Sequence, residues 1–152
     1  QISLIMLFFL AAAESVSVFP HSISFFNLAI GGPKNGPKHL LYGAIDVGQD
    51  ALLLKKWFDS HPEANPIHIK FSGVMTLSHL GIESLEVPPH KFDSKEKFIP
   101  PKGWYAVSAN YVHGASNVLG MNCDYCYFQH LKPIGYVGYS VYLYHVENFD
   151  RK

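Results

Sequence analysis

The stretch Leu40 to Phe58, LLYGAIDVGQDALLLKKWF, constrains this chain most, because an apolar run changes there into a helical period across a junction of two carboxylates and an amide. Leu40, Leu41, Tyr42, Ala44 and Ile45 make the short apolar run that a buried strand needs, and Gly48 breaks it. Beyond Asp50, Leu53, Leu54, Trp57 and Phe58 recur at spacings that gather them on one helix face, while Lys55, Lys56 and Asp59 fall largely on the other. The pattern predicts a strand followed by an amphipathic helix packed on a sheet.

Two readings of the junction stand side by side. Asp46 followed by Gln49 has the spacing of a capping box, in which the aspartate accepts from a free backbone N–H and the glutamine reaches back. Asp50 then sits in the first turn, where a negative charge meets the positive end of the helix dipole. The other reading makes Asp46, Gln49 and Asp50 ligand-binding residues, since ligands of open α/β sheets bind beyond the carboxyl ends of strands. Two acids four residues apart can share a sugar's hydroxyls or one cation. The readings are compatible, because a cap uses only one oxygen of Asp46.

The chain opens at Gln1, and Ile2 to Ala13 is an uninterrupted run of apolar and small residues. Such a run falls short of the roughly 20 residues that span a bilayer. It reads either as the exit end of a transmembrane helix that begins upstream or as the apolar part of a signal peptide ending at Ala11, Ala12 and Ala13. The apolar character continues through Val16, Val18, Phe19, Ile23, Phe25, Phe26 and Leu28, which favours the helix end. Phe19 to Ile30 then reads as an aromatic segment at the membrane surface, with Phe25 and Phe26 at the boundary and His21 and Asn27 facing headgroups. By periodicity alone it reads equally as a core helix of the soluble domain.

Gly31 to His39, GGPKNGPKH, is a loop by composition. It carries Lys34, Lys38 and His39, which can meet phosphates just outside a membrane, or simply be solvated as parts of a linker. It lacks the Gly-Lys-Ser/Thr ending of a Walker loop. Downstream, Pro62 and Pro66 bracket a turn, and Ile67, Ile69 and Phe71 alternate with His68, Lys70 and Ser72 as in a half-buried strand. Thr76 to Gly81 is expected to form a short helix, Glu83 to Val87 a short strand, and Pro88 to Lys102 an exposed loop. Trp104 to His113 and Ile134 to Val146 are strand candidates rich in Tyr and Val, with room for a helix over Leu119 to Leu131. The fold class expected is α/β: a mixed β-sheet with flanking helices, preceded by the end of a transmembrane or membrane-surface helix. The expected parts are 1–30 at the membrane, a loop over 31–39 and a soluble domain over 40–152.

Twelve basic residues balance twelve acidic ones, which argues against a general nucleic-acid binder. Nine tyrosines and eleven phenylalanines suit a membrane-facing or carbohydrate-facing surface, or an aromatic core. Cys123 and Cys126 form a CxxC pair without the second pair of a zinc site, though His113, His130 and His145 can in principle complete one. Outside the cytoplasm, a disulfide or two buried thiols fit better. There is no HExxH, so a zinc hydrolase is not supported, and no cofactor is expected.

Taken in order, FPHSISFFN, GGPKNG, AIDVGQDALLLKKWFDSHPEANPIHI, PPKGWYAVSANYVHG and PIGYVGYSVYLYHV resemble the C-terminal region of bacterial membrane glycosyltransferases related to the protein-mannosyltransferase group, from about Val18 to Val146. The resemblance implies a polyprenyl-phosphate sugar donor and a final transmembrane helix leading into a domain outside the cytoplasmic membrane. Asp46, Gly48, Gln49 and Asp50 match a DWGQD-like motif, with Val47 where the family commonly has tryptophan. The family's catalytic aspartate lies in an early extracytoplasmic loop, of which this chain holds no part.

The expectation is a non-catalytic extracytoplasmic domain of such a transferase, assisting acceptor or lipid-headgroup recognition through Asp46, Gln49, Asp50, Lys34 and Lys38. Its expected partners are membrane lipid, a polyprenyl-phosphate sugar or glycan acceptor, and other membrane protein subunits. The alternatives are a stand-alone membrane-anchored accessory subunit and, more remotely, a soluble enzyme using Asp46 and Asp50 as an acid/base pair.

Overall fold

A computed structural model describes residues 2–90, 98–114 and 123–147. Five strands form one mixed sheet in the order β2-β1-β3-β5-β4, with β1 Ile67–Lys70, β2 Ser84–Glu86, β3 Gly103–Ser108, β4 Gly135–Val137 and β5 Val141–Val146. β1 lies parallel to both β2 and β3, whereas β5 runs antiparallel to β3 and to β4. Helix α1 covers Ile2–Ser17, α2 covers Ala51–Ser60 and the single turn α3 covers Ala109–Val112. The fold is α/β, as the alternation of periods implies.

Side-chain alternation assigns the two faces of the sheet. Ala106, Val141, Leu143, Ile67 and Ile69 turn toward α2, where Ala51 and Leu54 complete one core. Tyr105, Val107, Tyr144 and Val146 turn the other way and pack with Val112, Tyr127 and Phe128. Both faces are covered, so the central strands are buried on both sides. The helix face predicted for α2 is present, although Leu53 at its margin is 38% exposed while Leu54 is fully buried.

Leu40 to Ile45 is not a strand. Tyr42–Ala44 forms one 3-10 turn, Tyr42 takes a left-handed φ of 59°, and its N–H donates to Asn110 Oδ1 at 2.7 Å. β1 and β5 already flank β3, so the apolar run finds no open neighbour there, and its N–H groups turn elsewhere, that of Leu40 to the Gly36 carbonyl at 3.0 Å and that of Tyr42 to the Asn110 side chain. Trp104 to His113 divides into β3 and α3, and Ile134 to Val146 is a β4–β5 hairpin rather than one strand. The short helix within Thr76 to Gly81 is the 3-10 segment Leu77–Leu80, and the strand within Glu83 to Val87 is β2. In Leu119 to Leu131, residues 119–122 lie outside the described residues, and Cys126–His130 is a 3-10 helix. The loop expected over Pro88 to Lys102 is described only at its two ends, where Pro100 is buried.

The segment after α1 belongs to the domain. Phe26 packs in a small core with Ile45 and Ala109, and Ser24 is fully buried. Phe26 therefore does not face a membrane boundary, and its ring lies over Gly36, where any Cβ would collide with it. The loop over 31–39 is thus packed under an aromatic ring rather than solvated throughout. α1 is a helix of 16 residues, about 24 Å long at 1.5 Å per residue. No helix of the described residues is long and apolar enough to cross a membrane, and a transmembrane helix is not part of the described fold.

Candidate functional site

The junction between Ile45 and α2 lies at the carboxyl end of β3, and strand alternation turns Ser108 there to the α2 side of the sheet, with Trp104 and Ala106. Asp46 Oδ1 accepts from the Gly48 N–H at 2.8 Å, closing a turn that Gly48 enters with φ 92°. Asp46 Oδ2 accepts from the Ser108 hydroxyl, and its backbone carbonyl accepts from Asn110 Nδ2 at 3.1 Å. Gln49 Oε1 accepts from the Val47 N–H at 2.9 Å, while its Nε2 donates to the Ile45 carbonyl at 2.8 Å and to Ser24 Oγ at 3.3 Å.

The predicted capping box is displaced. α2 begins at Ala51 with Asp50 as its N-cap, and the Asp50 side chain makes no capping hydrogen bond. The left-handed Gly48 inserts a turn before the helical period starts, so Asp46 and Gln49 fix that turn instead of the helix end. Asp50 reaches across the sheet: Oδ2 accepts from Ser140 Oγ at 2.7 Å, and Oδ1 faces His21 Nδ1 at 3.2 Å. Gly138, at φ 58°, leaves room for this carboxylate, which any Cβ there would strike. His21, expected to face headgroups, is spent on Asp50. Asn27, its other expected neighbour of headgroups, instead accepts from the Ile30 N–H at 3.3 Å.

Asp46 is 2% and Asp50 1% exposed, and among the described residues no buried side-chain nitrogen or oxygen lacks a hydrogen bond. Burial raises the Asp46 carboxyl above its ordinary value, opposed by the hydrogen bonds from Ser108 and Gly48 and reinforced by the charge of Asp50. Such an arrangement ties the N-terminal segment, the helix start and the hairpin together. It leaves neither carboxylate open to a sugar or a cation. Val47, the departure from the DWGQD-like pattern, is 51% exposed. Ser24, Ser108, Asn110 and Ser140 carry little signal in the sequence; only Ser108 and Ser140 stand out, as polar residues at the ends of strands otherwise made largely of Val, Tyr and Ala.

Lys34 and Lys38 lie elsewhere. They line a groove of about 470 Å³ with His113, Tyr136 and Tyr142, and Lys38 and His113 also line an adjoining one of about 520 Å³. Neither lining includes Asp46, Gln49 or Asp50. His113 Nε2 lies 3.1 Å from the Tyr142 hydroxyl, and burial, followed by the charge of Lys38, lowers its pKa. Cys123 and Cys126 are joined in a disulfide, one of the two states expected of the pair outside the cytoplasm. No group of three or more metal-ligating side chains occurs among the described residues.

No family model, no curated protein and no solved structure matches this chain.

Proposed function

We propose that this chain is a non-catalytic extracytoplasmic domain of a membrane glycosyltransferase that uses a polyprenyl-phosphate sugar donor, and that it assists acceptor or lipid-headgroup recognition. The observation that carries the non-catalytic part is the burial of Asp46 and Asp50, whose oxygens are engaged by Ser108, Gly48, Ser140 and His21. A general acid or nucleophile must reach the reacting atom, and neither carboxylate can. The acid/base reading of this pair is therefore dropped. The ordered motifs supply the family likeness. α1 supports attachment to a membrane, since Leu4, Leu7, Phe8 and Phe9 are each more than 60% exposed. The same helix suits the accessory-subunit reading.

Reconstitution into vesicles carrying a polyprenyl-phosphate sugar tests the proposal. The chain is expected to associate with the vesicles and to release or transfer no sugar. Sugar release that disappears in Asp50→Asn would overturn the non-catalytic reading, and failure to associate would overturn the membrane reading.

A further inference from the structure

We propose that the groove flanked by Lys34, Lys38 and His113 binds a phosphate ester of a ring-bearing headgroup, with the phosphate on the two ammonium groups and the ring against Tyr136. This deepens the recognition role proposed above and rests on it. Lys34 and Lys38 are exposed at the rim, and no carboxylate among the described residues lies within ion-pair distance of either. Among the described residues no acidic side chain lines either chamber, so the fixed charges at the lining are the ammonium groups of Lys34 and Lys38. Lysine offers a compact charge with rotatable donors, which suits phosphate oxygens approached from several directions.

The aromatic half is equally specific. Tyr136 is 51% exposed and meets Tyr142 edge-on at 4.9 Å and 86°, so a face of its ring remains open at the groove. Tyr142 in turn lies edge-on to the His113 ring at 5.7 Å, which fixes the floor between the cationic and aromatic halves. A chamber of about 470 Å³ lies in the range of small-ligand sites. An aromatic face beside two cations selects a ligand with both an anionic and a ring part, because each half alone gains little over water.

Lysine acylation of the full chain, read by mass spectrometry, tests this with glucose 1-phosphate, inorganic phosphate, sulfate and glucose as probes. Glucose 1-phosphate is expected to protect Lys34 and Lys38 while leaving Lys55 and Lys102 reactive. Lys38→Ser should raise the concentration needed to protect Lys34 by about tenfold. Tyr136→Ala, on an edge strand, should weaken glucose 1-phosphate by roughly threefold and leave inorganic phosphate unchanged. Vesicles containing phosphatidylinositol, compared with phosphatidylcholine alone, separate the sources: protection by the first but not the second assigns a lipid-borne phosphate ester, and protection by the soluble ester alone assigns a free one. No protection at saturating ester, or equal protection by sulfate, would overturn the groove. Those results are independent of vesicle attachment through α1 and of sugar release, so the groove can fail while the proposed function stands.

Discussion

Ser108 and Ser140 each hold one carboxylate of the junction, and the one held by Ser108 ties stability to pH. Asp46 is held above its ordinary value of 3.8 in the folded protein, so the folded state keeps that proton to higher pH than the unfolded chain does. Its favourable contribution is therefore full below pH 3.8 and is lost as pH rises through the folded value. Asparagine accepts from Gly48, can donate to Ser108, and has no proton to lose. Asp46→Asn should match wild type within about 1 kcal/mol below pH 3.8, gain on it as pH rises from there through the folded value, and hold that gain above it. Urea unfolding across a pH series measures this, and a constant offset between the two proteins would show that Asp46 titrates alike in both states. The sequence placed both acids and Gln49 at the right junction. It did not reveal their partners, because Ser108 and Ser140 lie 62 and 90 residues away and only the pairing of β3 with β5 brings them together.

At the scale of elements, α2 shows which signals survive folding. Its period, read from Leu53 to Phe58, is the one observed, because a helix makes its backbone hydrogen bonds within itself and needs only an apolar face to dock. The run from Leu40 to Ile45 was as apolar as a strand, yet a strand needs an open neighbouring edge, and no local pattern reports whether one remains. The hairpin of β4 and β5 was hidden in the same way within one Tyr-rich run, where Gly138 supplies the left-handed turn. The docked face of α2 makes a direct comparison. Leu54 has no exposure and Leu52 is 66% exposed, so Leu54→Ala should cost about 3 kcal/mol and Leu52→Ala less than about 0.5 kcal/mol. Denaturant midpoints read the difference, and equal losses would place Leu52 in an interface that the isolated chain does not show.

Across the whole molecule, the apolar surface is divided unequally between a packed domain and one uncovered helix. Phe8 and Phe9 are 71% and 66% exposed on α1, and no core cluster includes a residue before Phe26. Residues from Val18 onward are bound into the domain through Phe26, Ser24 and the His21–Asp50 contact, so α1 adjoins a segment that the junction itself fixes. Exposed phenylalanines add nothing to folding but add transfer free energy when a helix enters a bilayer, about 1.5–3 kcal/mol for each side chain fully buried. Phe8→Ser with Phe9→Ser should therefore leave the unfolding free energy within about 0.5 kcal/mol of wild type while lowering partition into lipid vesicles by at least tenfold. Vesicle flotation and urea unfolding of the same pair of proteins separate the two effects. A large loss of stability would mean that α1 packs on the domain after all, and unchanged flotation would move membrane contact from α1 to another surface.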